Sequence, residues 1–421
     1  MALELLVYGA LAIGIFALVA KRSSRSIISG PMFFAAVGFL LVATGLVEDP
    51  GGDVTGTAKV IVELALGLVL FSDAMTTNPR SWKDDGELPT RLLLIALPLV
   101  ILAGAIAAAG IFPAIDLVGA AIIATMLAPT DAALGQPVVA NKRVPVRIRE
   151  ALNIESGLND GLALPLLLFF IAIAEAREGA NFFSLLVSSI GIAVVVGAGG
   201  AWLFARLILS SSAHGWTSPM WRQIAVVMVA VVVFGLSEEL GGSGFIAAFV
   251  GGLVFGRVVL TLLPDIGAFA EDVAEVGTMV AFMVFGGVSL AFYSDLFTWA
   301  MLVYALLSLT VVRMIPVAIS MIGTHLRLPT LLYMGWFGPR GLASLVFAAI
   351  VILDSDITDT DPIITVVILT VALSILLHGV TAYPGSNAYA DWYQRQHEDH
   401  HKMIESNDVT QVQERRRIVR E

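Results

Sequence analysis

The chain is a succession of apolar stretches. Roughly thirteen segments, most of them close to the ~20 residues needed to cross a bilayer, follow one another with short polar loops between them. They lie near 3–20, 31–47, 57–76, 91–112, 117–139, 146–174, 183–210, 219–237, 243–261, 267–293, 297–324, 330–352 and 363–381. Helices of this kind satisfy their backbone groups internally, as a hydrocarbon environment requires. Charged residues make up 14% of the chain and hydrophobic ones 57%, whereas a soluble domain carries about 25% charged residues. The expected fold is therefore an all-α polytopic membrane protein with about thirteen transmembrane helices. The N-terminal stretch reads as the first span and not as a signal peptide. Its first residues carry no positive charge, and no small-residue cleavage site precedes the basic "KRSSR".

Loop charge sets the expected orientation, because cytoplasmic loops retain Lys and Arg. The odd loops are basic: "KRSSR", "NPRSWKDDGELPTR", "NKRVPVRIR" and "HLRLP". The even ones are acidic: "EDPGGD", "EAREGAN", "SEELGG" and "LDSDITDTD". Lys59 and Arg177 are the main exceptions. This pattern puts the N-terminus outside and the C-terminus in the cytoplasm. Residues 1–385 form the transmembrane unit, and 386–421 a short polar cytoplasmic tail without a nucleotide-binding glycine motif. A chain with no cysteine holds no disulfide, thiolate zinc site or iron–sulfur cluster. A formal charge of −10 argues against a nucleic-acid partner.

Two spans contain helix breakers. The fifth reads "AAIIATMLAPTDAALGQPVV", where Pro129 removes a backbone donor and clashes with the preceding turn. The twelfth reads "LLYMGWFGPRGLASLVFAAI", with Gly338, Pro339 and Gly341 at its break. Interrupted spans at corresponding places in two halves point to a transport site. The two breaks are seven spans apart, so the broken helices run in opposite directions. That implies inverted repeats, spans 1–6 and 8–13, with span 7 linking them.

Ionisable groups at membrane depth are costly and mark function. In "ESGLNDG", Glu155 and Asn159 share one helical face, and Ser156 and Asp160 share another close to it. Asp160 lies eleven residues beyond Arg149, or roughly 16 Å at 1.5 Å per residue, near the middle of the bilayer. Two arginines, Arg313 and Arg340, also lie within spans. Pairing Glu155 with Arg313 leaves Asp160 as the exchangeable seat. A carboxylate in a low-dielectric site favours a bound proton or cation over the bare anion. Thr130 offers a hydroxyl and a carbonyl, and small hard cations prefer oxygen ligands. Asp131 starts one half-helix and Arg340 ends another, where their charges offset the helix ends.

"APTDAALGQPVV", "ESGLNDGLALPLLLF" and "GPRGLASLVF", with "LVLFSDAMT" and "LLHGVTAYPG", resemble the NhaP/NHE-type branch of the monovalent cation:proton antiporters over about residues 5–385. The resemblance implies a thirteen-span homodimer in the cell membrane, with a dimerisation domain and a six-helix core. It implies Na⁺ (or Li⁺) exchange for H⁺ by an elevator-like movement of that core, serving sodium and pH homeostasis. It places the transport carboxylate on Asp160, the Asn-Asp pair of electroneutral exchangers on Asn159 and Asp160, and ion ligands on Thr130, Glu155, Ser156 and Asp160. Asp131 and Arg340 match the family's supporting charges. Many members have Thr-Asp-Pro at the first break, whereas Ala132 follows Asp131 here. No resident cofactor is implied, since the ions are substrates. K⁺-selective members share much of the pattern, so K⁺/H⁺ exchange is the alternative. A Na⁺-coupled solute symporter is a more distant one. No carbonyl-filter motif speaks for a channel, and an aspartyl protease would need two carboxylates sharing a proton.

Other polar residues admit two readings each. Glu155 is either an ion ligand or half of a structural ion pair. Asn159 braces the break or touches the ion. Glu63 and Asp73 line an aqueous path or serve structure. Glu271, Asp272 and Glu275 form an acidic mouth or a solvated helix end. His378 is expected to pack and cap. His397, His400 and His401 read as a solvated cluster, with metal binding as the alternative. The "GAGGA" at 197–201 permits a close helix crossing, either at an interface or within a domain.

Overall fold

The computed structural model describes residues 2–23, 26–47, 53–76, 86–176, 182–353, 355, 357, 360–399 and 403–406. Arg177, His400, His401 and the loop at 77–85 lie outside the described residues, as do the side chains of Lys59 and His397. Among the described residues there is helix and no strand. The helices are α1 (Ala2–Ser23), α2 (Gly30–Ala43), α3 (Asp53–Thr76), α4 (Glu87–Ile111), α5 (Leu117–Met126), α6 (Ala132–Val139), α7 (Val146–Ala176) and α8 (Phe182–Ala213). They continue with α9 (Pro219–Glu239), α10 (Gly244–Val259), α11 (268–293), α12 (Trp299–Ser320), α13 (Leu328–Trp336), α14 (Leu342–Leu353) and α15 (Asp361–Asp399).

Each apolar segment read from the sequence contains one helix, except the fifth and twelfth, which contain two short ones. Six helices, α4, α7, α8, α9, α12 and α15, are long and apolar enough to cross a membrane by length and composition. With the shorter apolar helices α2, α5, α10 and α14 beside them, they make this a multi-pass membrane protein.

Local sequence explains the helix ends. Asp116 starts α5 by accepting from the Gly119 amide at 2.7 Å. Ser218, Ser243 and Thr298 do the same for α9, α10 and α12. Such caps satisfy donors that the first turn leaves over. Arg91 on α4 reaches the carbonyls of Ser320 and Ile322, at 3.0 and 2.9 Å, closing the end of α12.

Three features depart from the sequence reading. α12 is interrupted at Thr310, whose φ and ψ are −116° and −92°. Turns of π-helix occur at Leu92–Ala96 in α4 and Phe285–Leu290 in α11. α15 does not stop near 381 but continues to Asp399, because its polar extension still buries a face. Tyr389 and Ala390 are buried there, and the Tyr389 ring stacks on Tyr333 of α13 at 4.2 Å.

The helices pack in two groups. In one, α3 lies against α10 and α11, α8 against α10, α9 against α10, and α2 against α11. In the other, α4 lies against α5, α5 against α7, α12 against α13 and α15, and α6 against α7 and α15. Contacts of α7 with α3 and α8, and of α14 with α3, join them. Both halves of the chain contribute to both groups. The crossing of α8 over α10 is close: a Cβ at Gly197 would stand 2.4 Å from the Ala247 carbonyl oxygen. Of the two readings of the "GAGGA" stretch, Gly197 takes the crossing within one chain. Gly199 faces open space.

Candidate functional site

The two breaks meet. α5 ends at Met126 and α6 begins at Ala132; α13 ends at Trp336 and α14 begins at Leu342. Across the gap the Asp131 amide donates to the Pro339 carbonyl at 2.7 Å. The Asp131 side chain caps two helices at once. Oδ1 accepts from the Leu134 amide and Oδ2 from the Leu342 amide, both at 2.8 Å. Leu134 lies in the first turn of α6, and Leu342 is the first residue of α14, so one carboxylate offsets two positive helix ends. Only a glycine fits at 341, since a Cβ there would stand 2.2 Å from Asp131 Oδ2.

Arg340 works across the gap in the other direction. It was expected to offset the end of its own half-helix, α13. Instead its Nη1 donates to the Ala128 and Pro129 carbonyls at 2.7 and 3.2 Å, just past the end of α5. The non-helical run 337–341 carries Arg340 beyond α13 and turns its guanidinium toward the other broken helix. A cation at a carbonyl-rich helix end is the favourable arrangement, supplied here by the opposite element. Arg340 is fully buried.

Two acids of α7 stand close to this crossing in unlike surroundings. Glu155 is 2% exposed and Arg313 1%. Arg313 Nη1 and Nη2 reach Glu155 Oε1 and Oε2 at 2.6 and 2.8 Å, a bidentate pair. Both carboxylate oxygens are thereby engaged, as the sequence pairing anticipated. Asp160 is held differently. It lines a narrow, partly open funnel together with Asp73, Asp131, Glu271, Glu275 and Thr278. Glu271, Ala274, Glu275 and Thr278 fall at helical spacing on α11 and present one face to the funnel. Asp73 and, on α11, Glu271 and Glu275 thus share one pocket with Asp160. Asp272 and Glu63 are not among the lining residues.

Hydroxyl and amide groups connect the first break to α7. Thr130 Oγ1 lies 2.9 Å from Ser156 Oγ and accepts from Asn159 Nδ2 at 2.7 Å. Thr130 and Asn159 are 1% exposed, while Ser156 is half-buried. The fold therefore unites Thr130, Ser156 and Asn159 in one hydrogen-bonded group, with Asp160 as the next residue. Glu155 stands with Arg313. Asn159 braces the break through Thr130, the first of its two readings. An uneven set of oxygens beside a buried carboxylate can hold a small hard cation.

Sequence reasoning missed Ser374. Its Oγ accepts from the Arg340 amide at 2.6 Å. The available signal was a Ser and a His four residues apart in an otherwise apolar span, "LSILLHG". His378 is buried and lies 3.0 Å from the Trp336 carbonyl, at the end of α13. That is the packing and capping expected of it.

Two broken helices crossing within a membrane bundle, with a carboxylate at their junction, define a class of polytopic carrier. This chain belongs to the sodium/hydrogen exchanger family, whose transmembrane model matches residues 8–385. It is 30% identical over 257 residues to the K⁺/H⁺ antiporter NhaP2 of Shewanella sp. strain MR-4, covering 59% of this chain and 43% of that protein. It is 25% identical over 324 residues to the K⁺/H⁺ antiporter NhaP of Alkalimonas amylolytica, covering 74% of this chain and 54% of that one. The chain thus spans about half or less of the length of these relatives. The sodium proton antiporter MjNhaP1 of Methanocaldococcus jannaschii has the same fold. It superposes with a TM-score of 0.72 at 21% identity, covering 92% of this chain and 99% of the other.

Proposed function

We propose that the protein is a secondary active antiporter that exchanges Na⁺ (or Li⁺) for H⁺, with Asp160 carrying one or the other. The observation that carries this reading is the contrast on α7. Glu155 is closed by Arg313, while Asp160 lines the acidic funnel one residue from the Thr130–Ser156–Asn159 group. With Glu155 fixed, one site titrates, and one proton balances one monovalent cation, so the exchange is electroneutral. The cation is held by oxygens of Asp160, Ser156 and Thr130, while Glu155, both of whose oxygens take Arg313, belongs with the frame. Asn159, Asp131, Arg313 and Arg340 hold the frame.

The cycle has three steps. Protonated Asp160 meets the funnel. A cation displaces the proton. The core group of helices, α4–α7 with α12–α15, then shifts relative to the other group and presents the site to the opposite side. An empty carboxylate crossing an apolar barrier costs several kcal/mol (roughly, after relaxation), so the bare site does not cross. The thirteen crossings, the inverted repeats, the external N-terminus, the cytoplasmic funnel, the homodimer and the location in the cell membrane all belong to this proposal. The segregation of helices into two groups, each drawn from both halves of the chain, supports it.

The K⁺/H⁺ activity named for the Shewanella and Alkalimonas relatives favours a second reading, the same mechanism with K⁺ as the cation. Purified protein in proteoliposomes with a pH-sensitive dye separates the two. Dissipation of an imposed pH gradient by Na⁺ or Li⁺, insensitive to membrane potential, is the expected result. A response to K⁺ alone transfers the substrate to the second reading. No response to any of the three over a broad pH range rejects antiport.

A further inference from the structure

The break between α13 and α14 is bridged from outside by two residues of α15. Ser374 and His378 are one helical turn apart, 0% and 1% exposed. On one side of the break, the Arg340 amide donates to Ser374 Oγ at 2.6 Å. On the other, His378 Nε2 lies 3.0 Å from the carbonyl of Trp336, the last residue of α13. Between them Ser374 Oγ and His378 Nδ1 are 3.1 Å apart.

A neutral imidazole carries one ring proton, and each ring nitrogen faces a backbone carbonyl, Trp336 at Nε2 and Ser374 at Nδ1, at 3.0 and 3.1 Å. With the proton on Nε2, that nitrogen donates to the Trp336 carbonyl and Nδ1 accepts from the Ser374 hydroxyl, whose lone pair takes the Arg340 N–H. In this tautomer a relay runs from Arg340 N–H through Ser374 and His378 to the Trp336 carbonyl. The His378 ring also lies over the Trp336 ring at 5.0 Å, and Trp336 Nε1 donates to Thr381 Oγ1 at 2.9 Å. Both ends of the break are thus referred to one rigid helix.

We propose that Ser374 and His378 are positioning residues that clasp this break and hold Arg340 against the Ala128 and Pro129 carbonyls, setting the geometry of the cation site from behind. Among the described hydrogen bonds the pair is joined to Arg340 and Trp336 and to no lining residue of the funnel, so its action on the site runs through Arg340 and the loop. This inference rests on the antiport reading for its transport consequence but not for the clasp itself.

The test is a double-mutant cycle of Ser374→Ala, His378→Leu and the pair, in proteoliposomes normalised for protein amount. Each single substitution cuts the same relay. Each should raise the apparent KM for the cation about tenfold, the effect of losing one buried hydrogen bond, with the maximal rate within about twofold of wild type. The double variant should be no worse than the more affected single one, because the residues act as a unit. His378→Gln, whose amide can still donate to Trp336, should recover part of the loss. An unchanged KM with reduced yield or rate, or additive effects near a hundredfold, overturns the clasp. Wild-type vesicles without cation-driven proton flux would reject the antiport reading instead. The clasp is then read from thermal unfolding of the same four proteins in detergent, where non-additive losses support it and additive losses overturn it.

Discussion

The neighbourhoods of Glu155 and Asp160 lie little more than one helical turn apart on α7 and have opposite characters. Around Glu155 the protein is closed: a bidentate arginine engages both oxygens, and each partner is 2% exposed or less. Around Asp160 it opens into a funnel that four other carboxylates also line. On the proposed reading, one helix uses the same chemical group in two ways. A buried acid matched by a fixed guanidinium is part of the frame. Under the antiport proposal, the buried acid facing the funnel is the seat of the mobile cation.

The largest expected effect breaks the comparison on the Asp160 side. Asp160→Asn keeps the volume and removes the exchangeable charge. Exchange of any cation for protons should vanish in proteoliposomes, while the thermal midpoint in detergent stays close to wild type. Residual exchange would return the carrier role to another acid.

The next effect lies on the Glu155 side. Arg313→Leu alone strands a buried carboxylate and should destabilise the protein by about 3–5 kcal/mol. Removing both charges, as Glu155→Leu with Arg313→Leu, should recover most of that loss, since an apolar pair of similar volume is often neutral or better. Unfolding midpoints of the three proteins decide this. A double variant as unstable as the single one would mean that the pair contributes net stability.

A smaller effect concerns the group that links the two neighbourhoods to the first break. Thr130→Val removes the hydroxyl that receives Asn159 and meets Ser156. Apparent cation affinity should fall about tenfold, the effect of one buried hydrogen bond, measured as KM at constant pH. An unaltered KM would exclude the Thr130 hydroxyl from holding the site.

The smallest effect lies at the funnel mouth. Glu271→Gln combined with Glu275→Gln should raise the KM about two- to threefold at low ionic strength, by weakening local cation accumulation. Screening shortens to about 3 Å at 1 M salt, so added choline chloride should erase the difference. Persistence at high salt would make these acids direct ligands.

Much of this arrangement was legible in the sequence. Apolar length places the helices, because hydropathy is a local property of about 20 residues. Pro129 and the Gly-Pro-Arg-Gly run place the breaks, and the scarcity of charge within spans singles out Glu155, Asp160, Arg313 and Arg340. The Glu155–Arg313 pair follows from the need to partner a buried charge. What the sequence did not reveal is set by contacts between segments distant along the chain. Arg340 serves the carbonyls of α5 only because the two breaks cross. Asp131 reaches Leu342 only because α14 starts beside α6. Ser374, a common residue in an apolar helix, gains meaning only when the Arg340 amide arrives above it. The interruption of α12 at Thr310 carries no glycine or proline at its own position; there the Thr310 hydroxyl donates back to the Leu306 carbonyl at 2.6 Å, a contact that bends helices and that a lone Thr in an apolar span does not announce.

The most direct test of Asp160 as a shared seat is proton release on cation binding, measured with purified protein in weakly buffered detergent solution. Titrating Na⁺, Li⁺ or K⁺ into wild type near neutral pH should release up to one proton per cation bound. Asp160→Asn should release none and bind the cation weakly or not at all. Cation binding by the variant with undiminished proton release would contradict the assignment and move the exchangeable site elsewhere in the funnel.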